Sequence, residues 1–190
     1  QVDGLSFFME SEAALLADEM GLGKTVQTIL AIRFLYETNQ IHRALVVTPR
    51  SLCTNWVEEF ETWAPNLVVH QLIGNFKNRE VFYYLPIPVL IGSYEQIRLD
   101  TDAFDNVEPF DLVVLDEAQR IKNVSSKTSL ACRALPRRRS WALTGTPLEN
   151  RPDDLLSIFR FVHRTLLQGA ETVQQLHSLI KPHFLRRTKS

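Results

Sequence analysis

The chain has 190 residues, a hydrophobic fraction of 45% and a formal net charge of −1. This length and composition allow a buried core, which excludes a disordered tail, and the near-neutral charge excludes a protein that coats nucleic acid by charge alone. No apolar run approaches the roughly 20 residues of a membrane-spanning helix, so we expect no membrane partner. Cys53 and Cys132 lack the close spacing of a zinc site, which predicts buried thiols in a reducing, intracellular compartment.

Short apolar runs separated by helical patterns predict a series of buried strands. In chain order the runs are 13–17, 44–47, 67–73, 89–91, 112–115 and 141–143. An amphipathic helix is predicted after Lys24, and a second one, carrying Trp56, Phe60 and Trp63 on one face, from Ser51. Because parallel strands need crossover helices, this alternation favours an α/β fold with three layers and a mostly parallel sheet.

Small polar or charged residues follow nearly every predicted strand. They are Asp18, Thr48, Ser93, Asp116 and Thr144. Any one of them could simply end a strand or cap a helix. In a parallel sheet, however, the carboxyl ends of the strands lie along one edge, where ligands of such folds bind. The five residues together therefore predict one shared site.

The run DEMGLGKT, residues 18–25, ends like a phosphate-binding loop, and we call it the phosphate loop. Gly21 and Gly23 allow backbone amides to approach an anion, Lys24 supplies a mobile positive charge, and Thr25 opens a helix whose dipole favours phosphate. A Gly-Lys-Thr triplet such as residues 23–25 also arises by chance. Here the preceding strand and the following helix provide the context that the motif requires. The expected nucleotide-binding residues are Asp18, Glu19, Met20, Gly21, Leu22, Gly23, Lys24 and Thr25.

A pair of adjacent acidic residues, Asp116 and Glu117, follows the apolar strand in FDLVVLDEAQ. Asp116 is suited to hold Mg²⁺ together with Thr25, and Glu117 is suited to orient and activate the water that attacks the γ-phosphate. The alternative is a helix cap followed by an acidic first turn. Because the pair accompanies a phosphate loop, we predict a nucleotide site in which Glu117, Asp116 and Lys24 carry the catalysis.

Five ordered motifs, DEMGLGKT, LVVTPRSL, IGSYEQ, DEAQRIKN and LTGTPLEN, resemble the first RecA-like lobe of Swi/Snf-type ATPases. These enzymes belong to the helicase-like superfamily two, and the resemblance extends over residues 1–190, to the closing IKPHFLRRTKS. It implies a P-loop NTPase fold of the RecA-like type, with ATP and Mg²⁺ as cofactors. In that family an Asp commonly replaces the first glycine of the loop, so Asp18 is expected there.

The resemblance also implies roles for individual residues. Lys24 would meet the β- and γ-phosphates, and Gln1 would read the adenine. The DEAQ box comprises Asp116, Glu117, Ala118 and Gln119, and the element that couples the γ-phosphate to DNA comprises Thr144, Gly145 and Thr146. Contacts with the DNA backbone are expected from Thr48, Arg50, Ser51, Ser93, Tyr94 and Lys122. Taken alone, several of these residues could equally form turns, caps or a solvated helix face.

The implied function is that of an ATP-binding lobe of an ATP-dependent double-stranded DNA translocase that remodels protein–DNA complexes. Two alternatives stay open, a strand-separating helicase and a catalytically inactive module that binds DNA or a partner. Because the chain opens on Gln1 and shows no motif of a second lobe after Leu148, we expect a piece of a longer two-lobe ATPase. We expect an intracellular, DNA-associated protein whose first lobe alone hydrolyses ATP very slowly, since the second lobe supplies the arginine fingers.

Overall fold

Seven parallel strands form one sheet in the computed structural model, which describes residues 2–146, 152–163, 165 and 173–187. The strands are β1 (Ala13–Leu16), β2 (Ala44–Thr48), β3 (Val69–Gln71), β4 (Val89–Ser93), β5 (Phe110–Leu115), β6 (Arg137–Leu143) and β7 (Phe184–Leu185). Their order across the sheet is β3-β4-β2-β5-β6-β1-β7, and every neighbouring pair is parallel. The six predicted strands are confirmed, whereas β7 was not predicted.

Helices connect the strands and pack on the sheet. They are α1 (Val2–Glu10), α2 (Lys24–Glu37), α3 (Cys53–Trp63), α4 (Phe76–Tyr84), α5 (Tyr94–Leu99), α6 (Lys127–Ala134), α7 (Pro152–Val162) and α8 (Val173–Ile180). Short 3₁₀ helices cover Arg50–Leu52, Thr101–Asn106, Ala118–Ile121 and Lys181–His183. The helix predicted after Lys24 is confirmed, and the one predicted from Ser51 begins as the 3₁₀ turn before α3.

Side chains alternate between two hydrophobic cores, one on each face of the sheet. In β2, Leu45 and Val47 enter the core that also holds side chains of α5, α6 and α7. Ala44 and Val46 enter the opposite core, with side chains of α1, α2 and α3. Because successive residues of a strand point to opposite faces, a continuously apolar strand must be covered on both sides. The predicted three-layer α/β arrangement is confirmed.

Both cysteines lie inside the protein as free thiols. Burial raises the pKa of Cys53 to about 11 and that of Cys132 to about 12. The prediction of buried thiols is confirmed. Within the described residues, no helix is long and apolar enough to cross a membrane.

A buried ion pair joins α4 to the end of α5, the helix that starts at the carboxyl end of β4. The Arg79 Nε donates to Asp100 Oδ2 over 2.8 Å, and the Tyr83 hydroxyl donates to the same oxygen over 2.7 Å. The side chains of Arg79 and Asp100 are 5% and 0% exposed. Removing one partner would leave the other charge buried without compensation.

We therefore expect Asp100→Asn to lower the free energy of unfolding by about 3–5 kcal/mol, measured by denaturant titration. The matched control is Glu37→Gln, which breaks an exposed pair with Arg33 and should cost less than about 1 kcal/mol. Equal effects of the two substitutions would contradict a structural role for the buried pair.

Candidate functional site

Polar residues lie in a row along the carboxyl edge of the sheet, the edge where the strands end. From the order of the strands, the row runs Ser93, Thr48, Asp116, Thr144 and Asp18. All five are buried, Asp116 being 7% exposed. The parallel register of β2 with β4 places Thr48 directly beside Ser93. The five residues predicted to share one edge therefore do so.

The phosphate loop joins β1 to α2 with a backbone that only glycine adopts easily. Gly21 and Gly23 have φ angles of 83° and 75°, in the left-handed region. Helix α2 begins at Lys24 without a side chain capping its first amides. Those amides have no partner inside the helix, and together with the helix dipole they favour an anion at this end. The loop thus offers main-chain donors and positive potential to a phosphate group.

The ammonium group of Lys24 is held above this loop. Its Nζ donates to the carbonyl oxygens of Asp18 and Glu19, over 2.7 and 3.2 Å. Burial lowers the pKa of Lys24, and the negative charges of Glu117, Asp18 and Asp116 act against that shift. The loop and the carboxylates that end β5 therefore lie on the same side of the molecule.

The carboxylate of Asp116 is fixed by three donors. Its Oδ2 accepts from the Trp56 indole Nε1 over 2.8 Å and from the Thr48 hydroxyl over 3.0 Å, and its Oδ1 accepts from the Glu117 amide over 3.0 Å. Burial raises the pKa of Asp116, while the bonds from Trp56 and Thr48 lower it. These donors orient the group and favour its ionised form.

A hydrogen-bond chain connects the DEAQ box to the residues after β6. Glu117 has a φ of 50°, an uncommon conformation for a residue other than glycine and one that recurs at functional sites. Its Oε2 accepts from Gln119 Nε2 over 2.6 Å, and Gln119 Oε1 accepts from the Thr144 hydroxyl over 2.8 Å. The Thr144 hydroxyl oxygen in turn accepts from the Thr146 amide over 3.1 Å. Glu117, predicted to activate the attacking water, is thus joined by hydrogen bonds to Thr144 and Thr146, predicted to couple the γ-phosphate to DNA.

Two further predicted residues complete this arrangement. Gly145 lies against the phosphate loop, because a Cβ atom at this position would be 2.9 Å from Met20 Cγ and 3.6 Å from Lys24 Nζ. Ala118, the third residue of the DEAQ box, is fully buried in the hydrophobic core. The small side chains therefore let the loop, the DEAQ box and the coupling residues pack closely.

The donor set suits a magnesium ion. Mg²⁺ prefers oxygen ligands and is usually held by one or two protein groups together with substrate phosphates and water. Asp116 offers a carboxylate, and Thr25, partly buried in the first turn of α2, offers a hydroxyl. Across the described residues, no group of three or more His, Cys, Asp or Glu side chains could hold a metal ion. The two oxygen donors, a carboxylate and a hydroxyl, fit a Mg²⁺ ion that is also bound by substrate phosphates and water.

Three residues predicted to contact DNA have buried side chains with partners inside the protein. Thr48 donates to Asp116, as described above. The Ser93 hydroxyl caps α5 by accepting from the Gln96 amide over 3.3 Å, and the Tyr94 hydroxyl donates to the Asp116 carbonyl over 2.6 Å. These positions speak against DNA contacts from the three side chains, because the hydroxyls already hold the carboxyl edge together.

The other predicted DNA contacts lie at the surface of the same edge. Arg50 and Ser51 are exposed in the turn between β2 and α3, and Lys122 is exposed after the 3₁₀ helix that begins within the DEAQ box. Gln1, predicted to read the adenine, lies outside the described residues.

A cavity of about 540 Å³ lies at the opposite end of the sheet, where β1 and β6 begin. Its lining includes Glu12, Arg137, Arg138, His163 and His183, and none of the predicted site residues. The chemistry gathered along the carboxyl edge is therefore separate from this cavity.

Two contacts of the site escaped the sequence analysis. Trp56 was assigned to the apolar face of its helix, yet its indole N–H reaches Asp116. Arg187 pairs with Asp18 from the end of the neighbouring strand β7. The sequence near Arg187 offers only the apolar pair Phe184 and Leu185 followed by two arginines, a run too short to identify as a strand.

Comparison with known proteins places the chain in a family. The family model described as the SNF2-related domain matches residues 1–190. The chain belongs to the SNF2-related domain family. The SWI2/SNF2 ATPase core of Sulfolobus solfataricus, solved in complex with double-stranded DNA, matches 99% of this chain with a TM-score of 0.87 and 32% identity. This likeness confirms the predicted RecA-like fold.

Curated relatives of this SNF2-related domain are much longer proteins. It is 38% identical to an uncharacterised ATP-dependent helicase of Mycoplasma genitalium, over 93% of this chain and 18% of the relative. It is 33% identical to the ISWI chromatin-remodelling complex ATPase ISW2 of Saccharomyces cerevisiae, over 100% of this chain and 19% of the relative. The domain thus spans about a fifth of these relatives, and 43% of the Sulfolobus chain.

Proposed function

We propose that this SNF2-related domain is the ATP-binding lobe of an ATP-dependent double-stranded DNA translocase that remodels protein–DNA complexes. The observation that carries the proposal is the shared site of Lys24, Asp116 and Glu117 at the carboxyl edge, linked by hydrogen bonds to Thr144 and Thr146. The names of two relatives, a chromatin-remodelling complex ATPase and an ATPase core in complex with double-stranded DNA, support the same conclusion. The proposal includes a second RecA-like lobe in the same full-length chain.

Each residue of the site has one task in the proposed reaction. The amides of the phosphate loop and the Lys24 ammonium bind the β- and γ-phosphates. Asp116 and Thr25 would hold Mg²⁺, which would neutralise charge on the phosphates. Glu117 orients the attacking water and accepts its proton. The bond from Gln119 holds the Glu117 carboxylate in place, and Thr144 holds Gln119.

DNA binding is proposed on the exposed part of the same edge. Arg50, Ser51 and Lys122 offer two positive charges and a 3₁₀ turn to a phosphate backbone. Contacts of this kind carry little sequence specificity and weaken strongly with salt, because binding releases counterions. Thr48 and Trp56 flank the segment that carries Arg50 and Ser51, and both hold Asp116. DNA bound at this segment would therefore be connected to the metal-binding carboxylate through Thr48 and Trp56.

The double substitution Arg50→Ala and Lys122→Ala in the full-length protein is expected to weaken binding to duplex DNA equally for unrelated sequences. The slope of log affinity against log salt concentration should become shallower by about one for each lost phosphate contact. Lys77→Ala, which removes an exposed charge on α4, is the matched control and should change neither quantity. An unchanged salt dependence in the double variant would count against the proposed DNA surface.

Trp56→Phe is expected to move the acid limb of the ATPase pH profile to higher pH. The substitution removes a hydrogen bond that lowers the pKa of Asp116, so this pKa rises above its already raised value. As the pH falls, the Asp116 carboxylate of the variant is protonated at a higher pH than that of the wild type. Because the protonated group binds the metal weakly, activity is also lost at a higher pH. A pH series of kcat/KM measures the effect.

Trp63→Phe is the matched control for this experiment. Trp63 lies on the same helix, is 41% exposed and donates its indole N–H to Glu59 over 3.0 Å. Its pH profile should coincide with that of the wild type. If both variants shift alike, or neither shifts, the role assigned to Trp56 is wrong.

The proposed translocation is tested with the full-length protein on linear duplex DNA. We expect duplex-stimulated ATP hydrolysis and ATP-dependent displacement of a third strand from a triplex, without separation of the duplex strands. A relative carries the name ATP-dependent helicase, so strand separation is the second candidate, and release of a labelled strand from a duplex would favour it. Loss of duplex stimulation altogether would contradict both. Such a translocase would reside with DNA inside the cell.

A further inference from the structure

The phosphate loop is anchored by a side chain from the far end of the described chain. Both carboxylate oxygens of Asp18, the first residue of the loop, face the guanidinium of Arg187. Arg187 Nε donates to Oδ1 and Oδ2 over 3.2 and 3.1 Å, and Arg187 Nη2 also donates to Oδ2. The Arg187 amide donates to Oδ1 over 2.9 Å. The Asp18 side chain is fully buried, so this pairing uses the whole carboxylate.

The Nη2 group of the same guanidinium also connects to the middle of the loop, through Gln27. Arg187 Nη2 donates to Gln27 Oε1 over 2.6 Å, and Gln27 Nε2 donates to the Leu22 carbonyl over 2.7 Å. Gln27 is 1% exposed. The loop is therefore held at Asp18 directly and at Leu22 through Gln27, on either side of Gly21.

The backbone around Arg187 fixes where this anchor stands. Beyond β7, the chain continues alongside the segment that leads out of β1. The Ala17 amide donates to the Leu185 carbonyl over 2.8 Å, and the Glu19 amide donates to the Arg187 carbonyl over 3.1 Å. Gly4 of α1 closes the other side, since a Cβ atom there would lie 1.9 Å from Gln27 Oε1 and 2.7 Å from Arg187 Nη2. Helix α1 therefore packs directly against the contact between Arg187 and Gln27.

These contacts bear on the ammonium of Lys24. Its two acceptors are the carbonyl oxygens of Asp18 and Glu19, the residues that Arg187 holds by side chain and by backbone. A shift of this segment would move the acceptors of Lys24 and the first turn of the loop together. Such a shift would move the groups that are proposed to bind the phosphate chain, so it should weaken nucleotide binding.

We propose that Arg187 is a positioning residue of the phosphate loop, which holds Asp18 and Leu22 in the shape that binds the phosphate chain of a nucleotide. The inference rests on the proposed nucleotide binding. It also gives a physical reason for an aspartate at the position of the first loop glycine. The backbone turns without glycine there, and the carboxylate serves as the attachment point for the guanidinium.

The test uses two mild substitutions in the full-length protein. Arg187→Lys keeps the charge but offers one nitrogen where Arg187 uses both Nε and Nη2, so it loses the two-nitrogen pairing with Asp18. Gln27→Met keeps the side-chain volume and removes only the hydrogen bonds that connect Arg187 to Leu22 through Gln27. Fluorescent ADP is titrated in the presence of Mg²⁺, and the KM for ATP and kcat are measured with saturating duplex DNA. Arg138→Lys, whose side chain is 71% exposed, is the matched control.

We expect both variants to bind ADP on the order of tenfold more weakly, the scale of one or two lost bonds to a charged group. The KM for ATP should rise while kcat stays within about twofold of the wild type, because the groups around the attacking water are untouched. Arg138→Lys should leave all three quantities unchanged. If both variants bind ADP with wild-type affinity and only melt at a lower temperature, Arg187 has a purely structural role and the inference is overturned.

Lys24→Ala separates this inference from the proposed function. If the wild type binds ADP, Lys24→Ala weakens binding and the two milder variants do not, the inference alone fails. If the wild type itself binds no nucleotide in the presence of Mg²⁺, the proposed function fails, and the role of Arg187 fails with it.

Discussion

Glu117→Gln in the full-length protein is expected to reduce ATP hydrolysis by about 10²–10⁴-fold, the usual contribution of a positioned general base. Gln has nearly the same shape but cannot accept the proton of the attacking water. The left-handed backbone at Glu117 and the bond from Gln119 hold the side chain in place, so the variant should keep the geometry of the site. Single-turnover hydrolysis, together with nucleotide affinity, measures the effect.

Nucleotide binding should survive this substitution. The phosphate loop and Lys24 are unchanged, so the affinity for ATP should stay within a fewfold of the wild type. Glu37→Gln, an exposed carboxylate of α2, is the control and should alter neither quantity. Wild-type hydrolysis in Glu117→Gln would remove this residue from its proposed role. Absence of hydrolysis in the wild type itself would instead favour a domain that binds DNA or a partner without catalysis.

Lys24→Ala is expected to weaken nucleotide binding itself by about 10–100-fold, as the loss of a charge-assisted hydrogen bond implies. The effect is larger than that of an ordinary surface lysine for two reasons. The ammonium is already held in place by the carbonyls of Asp18 and Glu19, and it offsets the negative charges of Glu117 and Asp116. Without it, those carboxylates would face the phosphates uncompensated. A fluorescent-nucleotide titration measures the loss.

The control for this prediction is Lys77→Ala, because Lys77 is exposed on α4. Its nucleotide affinity should equal that of the wild type. If Lys24→Ala binds ATP as tightly as Lys77→Ala, the assignment of the phosphate loop is wrong.

The fold could be predicted from the sequence because four central strands, β1, β2, β4 and β5, are short, mostly apolar and buried on both faces. Two consequences followed from this pattern. The parallel sheet needed helices on both sides, and the polar residues after the strands had to meet at one edge. The structure places Asp116 and Lys24 at that edge together with Thr144. Local sequence was sufficient here because each residue is positioned by its own strand end.

Contacts between distant segments could not be predicted in the same way. Trp56 looked like any aromatic residue on an apolar helix face, and only the packing of α3 on the sheet brings its N–H to Asp116. Strand β7 is two residues long, too short for a periodic signal, and its pairing with β1 brings Arg187 to Asp18. The buried hydroxyls of Ser93 and Tyr94 show the same limit, because motif resemblance does not reveal which way a side chain faces.

A crystal structure of the full-length protein with Mg²⁺ and a non-hydrolysable ATP analogue tests the central claim most directly. We expect the phosphate chain to bind to the amides of residues 21–25, and the metal to lie between the Thr25 hydroxyl and the Asp116 carboxylate. A nucleotide bound elsewhere, with Lys24 and Asp116 both away from its phosphates, would contradict the account.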